Sequence, residues 1–267
     1  MGYDVRGKHV LVTGASSGIG AALAEAFAKQ GAVVGICARR ANRLEEVLGR
    51  LREHSPDSKM WTVDLADLDG VASFARRASA ELGGIDVLVN NAGVPKRRTV
   101  QDLTPDVVES VMSINYFSPV RLTLSLLPEL IERGGRIVNL SSVAARLGPP
   151  GEAAYTASKA ALTGFTESMR IDLRDTGVEV HVVNPGVLDT ELFQQPGNDE
   201  MIANVEALPV SAIVEPVLDQ LRSGVFEIYV PGWFANVVGG KFPDTEKYFQ
   251  GTIDWLRSNP EEPHSES

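Results

Sequence analysis

From residue 7 to about residue 232 the chain alternates short apolar runs with segments of helical periodicity, a pattern that few folds accommodate. The runs 8–13, 33–38, 59–64, 87–90, 136–140, 179–183 and 227–230 have strand character. Most are apolar nearly throughout, as strands covered on both faces must be. Between them, Leu44, Val47, Leu48 and Leu51 recur at i, i+3, i+4 and i+7, and Val71, Phe74, Ala75 and Ala78 repeat that spacing. Each set places one apolar stripe on one helical face. Strand and helix in alternation predict a parallel sheet with helices on both sides, so the expected architecture is α/β and doubly wound, with about seven mainly parallel strands.

Helix boundaries carry their own signals. Thr104-Pro-Asp reads as an N-cap with proline at the first helical position, and Gly31 as the C-cap of a first helix over 21–30. A polar, Pro- and Gly-containing loop at 194–199 interrupts the alternation near the carboxyl ends of the strands, where ligands bind in open α/β sheets. One domain over 1–259 is expected, with a C-terminal extension from about 233 and a charged, disordered tail at 260–267.

Composition removes several function classes. With 25 basic against 35 acidic residues the net charge is -10, and no basic stripe tracks a phosphate backbone, so nucleic acid is not an expected partner. His9, His54, His181 and His264 are scattered and show no ligand spacing, so no metal is expected. Cys37 stands alone in an apolar run and reads as a buried thiol. No window approaches the ~18 consecutive apolar residues of a membrane span, and the first residues lack a secretory leader, which makes the cytoplasm the expected compartment.

The first strand runs into Gly14-Ala-Ser-Ser-Gly18-Ile-Gly20 and then an alanine-rich helix. Free amide N–H groups and the positive end of the helix dipole meet there, which makes an anion site. Glycines permit the tight turn, the close approach of backbone to a pyrophosphate and the close packing of the helix on the sheet. Strand two ends in Ala38-Arg39-Arg40, without the acid that would hold a 2'-hydroxyl. Arg39 and Arg40 offer charge-assisted donors to a 2'-phosphate, so NADP(H) is expected in preference to NAD(H); the plainer reading is two solvated arginines.

Tyr155 and Lys159 lie four apart in a predicted helix, so both side chains leave one face and the ammonium can sit beside the phenol. A free phenol, with a pKa of ~10, needs ~4 kcal/mol of preferential phenolate stabilisation to titrate three units lower. Lys159 and an oxidised nicotinamide could supply it in a partly dry cleft. Ser142 ends strand five, where its hydroxyl can bond a substrate oxygen; Ser141 competes, but alternation along a strand points it the other way.

The string Thr13-Gly-Ala-Ser-Ser-Gly-Ile-Gly20 with Tyr155-Thr-Ala-Ser-Lys159 resembles the short-chain dehydrogenase/reductase family, of Rossmann-type fold. Ser142 stands at the family's spacing before the tyrosine, and Asn115 matches its catalytic asparagine, whose backbone carbonyl holds a relay water. The resemblance implies cofactor contacts from Gly14, Ser16, Ser17, Gly18, Ile19, Asp64, Leu65, Asn91, Ala92, Gly93, Tyr155, Lys159, Pro185, Gly186, Val187 and Thr190. Asp64 reads equally as a capping acid of a helix beginning at 65–67. It also implies hydride exchange between NADP(H) and a small-molecule carbonyl or secondary alcohol, with Tyr155 as acid/base. By the same resemblance a homo-dimer or homo-tetramer is expected, packed through the helices near 105–130 and 152–175.

Substrate signals are weaker. Val143, Leu147, Pro149, Leu188, Leu192 and Phe193 either border the cleft, favouring an apolar ketone, or pack a lid onto the core. Acyl-carrier-protein reductases and steroid-type dehydrogenases are alternatives within the family. The aromatic stretch after Trp233 either caps the site, joins an interface or covers the core. A non-catalytic NADP(H)-binding sensor or scaffold would leave the set Ser142, Tyr155 and Lys159 without a purpose.

Overall fold

The computed structural model describes residues 2–191, 198–199 and 206–258. Leu192 and Phe193, expected either at the cleft or in a lid, most of the 194–199 loop and the 260–267 tail lie outside the described residues.

Seven parallel strands form one sheet: β1 (His9–Thr13), β2 (Val33–Ala38), β3 (Lys59–Thr62), β4 (Val87–Asn90), β5 (Arg136–Leu140), β6 (Glu179–Pro185) and β7 (Glu227–Val230). Their order is β3-β2-β1-β4-β5-β6-β7, and every recorded pairing is parallel. The strand order reverses between β1 and β4, which opens a crevice at the carboxyl ends of those two strands. Alternation along each strand feeds two cores. Val10, Val12, Val87 and Val89 join one cluster with Leu23, Phe27, Leu44, Leu51 and Leu221. Leu11, Leu88 and Ile137 join the other with Phe74, Leu126, Leu130 and Met169. These strands therefore bury both faces, which is why they read as continuous apolar runs.

One layer contains α1 (Gly18–Lys29), α2 (Ala41–Arg52) and α8 (Val214–Ser223); the opposite layer contains α3 (Val71–Leu82), α5 (Ser118–Arg133) and α7 (Ala153–Asp172). The shorter α4 (Pro105–Met112) and α6 (Ala144–Leu147) flank the carboxyl edge, and α9 (Phe234–Lys241) and α10 (Thr245–Ser258) follow the last strand. The α2 stripe Leu44, Val47, Leu48 and Leu51 is buried as its spacing predicts, and Gly31 sits at φ 85° just past α1.

Several boundaries differ from the sequence expectation. Helix α1 starts at Gly18 rather than residue 21, because the glycine turn itself forms the first helical turn. Strand β3 ends at Thr62, and the following helix starts at Val71 rather than at 65–67. Between them Asp64 accepts a hydrogen bond from Ala66 N–H at 2.9 Å and Asp67 from Gly70 N–H at 3.4 Å. Such aspartate turns satisfy backbone donors locally, in competition with helix. Strand β6 runs on to Pro185 because β7 continues beside it, pairing Pro185 with Val230. Asn115 lies in a π-helical turn, Ser113–Phe117, wedged between α4 and α5.

Among the described residues, no helix is long and apolar enough to cross a membrane, and no cluster of three or more His, Cys, Asp or Glu could hold a metal ion. Cys37 is buried, and burial pushes its thiol up to about 12.

Candidate active site

The crevice at the strand-order reversal is a cavity of about 510 Å³, within the range of small-molecule sites. Its floor begins at the glycine turn. Gly14 N–H donates to the Cys37 carbonyl at 2.8 Å, tying the turn to the end of β2. Thr13 Oγ1 accepts the N–H groups of Asn91 and Ala92, both at 3.0 Å, while Asn91 Nδ2 donates to the carbonyls of Thr13 at 2.9 Å and Gly14 at 3.2 Å. The turns after β1 and β4 are thereby locked together. Glycine is required at position 14, where φ is +67° and a Cβ would lie 2.7 Å from Ala92 Cα. A Cβ at Gly18, where φ is +57°, would meet Thr190 at 3.3 Å, so Thr190 stands over the start of α1.

Helix α1 carries no acid in its first turn, and its N-cap Ser17 makes no side-chain cap. Its first N–H groups therefore face the cavity with the dipole unopposed, a cradle that suits a pyrophosphate. Arg40 reaches over that cradle, donating to Ser17 Oγ at 2.8 Å and Ser16 Oγ at 3.2 Å. It also pairs with Glu191 at 2.9 Å, and Arg43 with the same carboxylate at 3.4 Å. These contacts draw the Glu191 carboxyl below its ordinary range, through the Arg40 hydrogen bond and then the charges of Arg40 and Arg43. Arg39 and Asp64 both line the cavity, and Asp64 at the same time closes the turn after β3.

At the other end, Ser142, Tyr155 and Lys159 line the same cavity, each nearly inaccessible to solvent. Ser142 hydrogen-bonds Tyr155, and its Oγ accepts the Ala144 N–H at 3.1 Å. Ser141 also lines the cavity, but its hydroxyl is engaged with Thr163 Oγ1 at 2.7 Å; both serines follow β5, which ends at Leu140. Lys159 Nζ donates to the Leu140 carbonyl at 2.7 Å and lies 5.9 Å from the centre of the Tyr155 ring. Gly93 lies beside it and against Asn115, since a Cβ there would sit 3.5 Å from Nζ and 3.1 Å from Asn115 Oδ1. Asn115 does not line the cavity. Its buried side chain accepts Val94 N–H at 2.8 Å and donates to Val94 O and Ser158 Oγ, both at 3.0 Å, joining β4's turn to α7.

Electrostatics at this end follow burial. Desolvation pushes the Tyr155 phenol well above its ordinary value of 10.0, against the Ser142 hydrogen bond; the Glu152 carboxylate pushes it up as well, and Arg97 draws it down. Desolvation lowers Lys159 to about 8. The lowering of Tyr155 expected from Lys159 is thus absent among the protein's own groups, because the ammonium is turned to a carbonyl and burial is the larger effect.

Most residues singled out from the sequence meet in this one cavity: Gly14, Ser16, Ser17, Gly18, Ile19, Arg39, Arg40, Asp64, Leu65, Asn91, Ala92, Gly93, Ser142, Tyr155, Lys159, Pro185, Gly186 and Thr190. Val187 does not line it; its carbonyl accepts the Leu208 N–H at 3.0 Å. Of the apolar residues expected at the substrate end, Leu188 lines the cavity, whereas Val143, Leu147 and Pro149 do not. Leu147 is buried at the end of α6, packing that turn instead. Two features escaped the sequence reading. Arg43 and Glu191 join the arginine cluster, and the i+3 step from Arg40 to Arg43 at the start of α2 was the available signal. The buried pair Arg97–Glu152, at 2.9 Å, links segments 55 residues apart and left no local trace.

The chain matches the short chain dehydrogenase family model over residues 8–201. It is 39% identical over 195 residues to dehydrogenase/reductase SDR family member 7B of Rattus norvegicus, a match covering 70% of this chain and 60% of that one. The chain thus spans about 60% of the length of such animal relatives. Nodulation protein G of Rhizobium meliloti (strain 1021) is 32% identical over 244 residues, covering 89% of this chain and 98% of its own. Among solved structures, a short chain dehydrogenase from Burkholderia cenocepacia J2315 in complex with NADP superposes with a TM-score of 0.79 at 30% identity, covering 95% of this chain and 99% of that one. A short-chain dehydrogenase from Sphingobium yanoikuyae in complex with NADPH gives 0.76 at 27% identity, covering 97% and 98%.

Proposed function

The chain belongs to the short-chain dehydrogenase family, and we propose that it is an NADP(H)-dependent oxidoreductase that interconverts a carbonyl and a secondary alcohol. Its preferred substrate in this reading is an apolar ketone. The observation that carries the reading is the single cavity with an anion cradle and arginines at one end and Ser142, Tyr155 and Lys159 at the other. Structural neighbours in complex with NADP and NADPH support the cofactor assignment.

NADP(H), when bound, supplies or accepts the hydride; the protein supplies orientation and electrostatics. The α1 N-terminus with Ser16, Ser17, Gly18 and Ile19 would hold the pyrophosphate, and Arg39 and Arg40 the 2'-phosphate. Asp64, Leu65, Asn91, Ala92 and Gly93 would line the adenine side, and Pro185, Gly186 and Thr190 the nicotinamide side. Lys159 would hold the nicotinamide ribose hydroxyls.

In reduction, Ser142 donates a hydrogen bond to the carbonyl oxygen and Tyr155 gives that oxygen its proton. Burial serves this direction, because it keeps the phenol protonated at neutral pH. In oxidation the tyrosinate must take the proton back, and the positive nicotinamide together with Lys159 would then have to overcome the same desolvation. Asn115 fixes the turn that holds Val94 and Ser158 beside Tyr155, and its backbone carbonyl would hold the water of a proton relay.

The reading is tested by titrating the purified protein separately with NADPH and NADH, following nicotinamide fluorescence, and then screening a panel of aryl and alicyclic ketones with NADPH. Tighter NADPH than NADH and steady turnover are expected. A preference for NADH overturns the arginine assignment alone, and binding of neither overturns the whole reading. Tyr155→Phe should reduce turnover by at least ~10²-fold while leaving the NADPH Kd nearly unchanged.

A further inference from the structure

The hairpin α9–α10 lies beyond residue 201, where the match to the family model ends, yet it contacts Gly186 of the cavity lining and the end of α6, the short helix that follows Ser142. On one side, Phe234 at the start of α9 covers Gly186 so closely that a Cβ there would lie 2.4 Å from the Phe234 ring. Gly186 follows Pro185, whose carbonyl accepts the Val143 N–H at 3.0 Å. On the other side, Lys241 at the end of α9 donates to the Arg146 carbonyl at 2.7 Å, and the Tyr248 hydroxyl of α10 donates to the Leu147 carbonyl at 3.2 Å.

These two carbonyls matter because α6 is only four residues long. Gly148, at φ +68°, ends it, and its N–H returns to the Ala144 carbonyl, which leaves the carbonyls of Arg146 and Leu147 beyond the helical bonds. A cation at this negative end is the favourable partner. The other end of α6 hangs on Ser142: its Oγ accepts the Ala144 N–H at 3.1 Å, and its carbonyl accepts the Ala145 N–H at 3.0 Å. The Arg146 side chain pins the middle through Glu167 and Glu227. Lys241 is itself held over the rings of Tyr248 and Phe249, at 5.5 and 5.3 Å from their centres.

We propose that the C-terminal hairpin is part of the active-site scaffold, with Lys241 the positioning residue that fixes α6 and, through it, the Ser142 hydroxyl beside Tyr155. The proposal rests on the functional reading of Ser142 and Tyr155 given above. Lys241 touches no reacting atom. Its removal would leave α6 capped by Tyr248 alone and free the Ser142 hydroxyl to leave the position from which it polarises a substrate oxygen.

The test compares Lys241→Met, which keeps the stem and loses the donor, with Lys241→Arg and Tyr248→Phe in the full chain. Hydrogen exchange over residues 143–148 reports the brace without requiring turnover, with 18–29 as the internal reference. For Lys241→Met, exchange over 143–148 should rise while 18–29 stays unchanged. With the best ketone of the panel, kcat should fall about tenfold at an unchanged NADPH Kd. Lys241→Arg should restore kcat, and Tyr248→Phe should give a smaller effect in the same direction. Unchanged exchange over 143–148 in both Lys241→Met and Tyr248→Phe overturns the proposal. So does raised exchange with unchanged kcat and KM, which would make the hairpin merely structural. Should no ketone be reduced by the unaltered protein, the oxidoreductase reading fails, and the exchange result alone decides the brace.

Discussion

Tyr155 and Lys159 stand one helical turn apart, and burial drives both toward their neutral forms, the phenol by raising its pKa and the ammonium by lowering it to about 8. Only the second effect falls within an accessible pH range. Because kcat/KM for NADPH reports groups of the free enzyme, it should fall above about pH 8 as Lys159 loses its proton; Lys159→Arg, which stays charged, should move that limb upward. A rate constant level to pH 9.5 would contradict it. His181 offers a stability counterpart. Its ring is buried with Nδ1 at 2.9 Å from the Val225 carbonyl, and desolvation lowers its pKa from 6.5. The unfolded chain then binds the proton first, so the contribution of His181 is present above pH 6.5 and is lost as pH falls toward its lower folded value. Thermal unfolding should show a Tm loss between pH 7 and 5.5 that is smaller in His181→Asn. At this scale the sequence disclosed what lies within a few residues: the four-residue step from Tyr155 to Lys159, and the arginines after β2. It disclosed nothing of Arg97–Glu152, because a buried pair made by distant segments depends on how the sheet is wound.

The β1–turn–α1 unit was legible in kind and order, since apolar run, glycine spacing and helix periodicity agree locally, with the start of α1 displaced from residue 21 to Gly18. Its sharpest demand is Gly14, where a positive φ and the nearness of Ala92 both exclude a side chain. Gly14→Ala should therefore cost about 2 kcal/mol, a Tm loss of roughly 4–8 °C at this size, and should weaken NADPH binding more than Tyr155→Phe does. An unchanged Tm would show that the two interlocked turns yield more easily than their hydrogen bonds indicate. The elements that were misread are those in which side chains compete with the backbone. Asp64 and Asp67 tie their turns to nearby N–H groups and so delay α3 to Val71. The π-helical turn at Ser113–Phe117 has no local signature, because it is held by the long-range bonds of Asn115 to Val94 and Ser158. Helix α6 escaped notice for a related reason: four residues are too few to show a period, and its partners include Lys241 and Tyr248 about a hundred residues away.

On the scale of the molecule, the parallel sheet and both cores follow from alternation, whereas the strand order and the outer faces do not, and the outer face of α5 is where assembly should be decided. Phe117, at the end of the π-helical turn, and Leu124 and Ile131 on α5 recur at seven-residue steps and are 44%, 54% and 38% exposed, which sets three large apolar side chains along one side of the continuous turn and helix. Ile171, on the neighbouring layer helix α7, is 67% exposed. The inward residues Leu122, Leu126 and Leu130 already satisfy the core, so packing within the chain does not explain the outer stripe. A second copy laid across α5 and α7 would cover it, in keeping with the homo-oligomer expected from the family resemblance. Leu124→Glu puts a charge in the middle of that stripe without touching either core. Sedimentation or light scattering should show the unaltered chain as a dimer or tetramer and Leu124→Glu as a smaller species, with an unfolding midpoint that depends on concentration only in the former. If both sediment as the same species, the stripe is not the interface. If the unaltered chain is a monomer, the stripe is not a self-association face and the active site is complete within one chain.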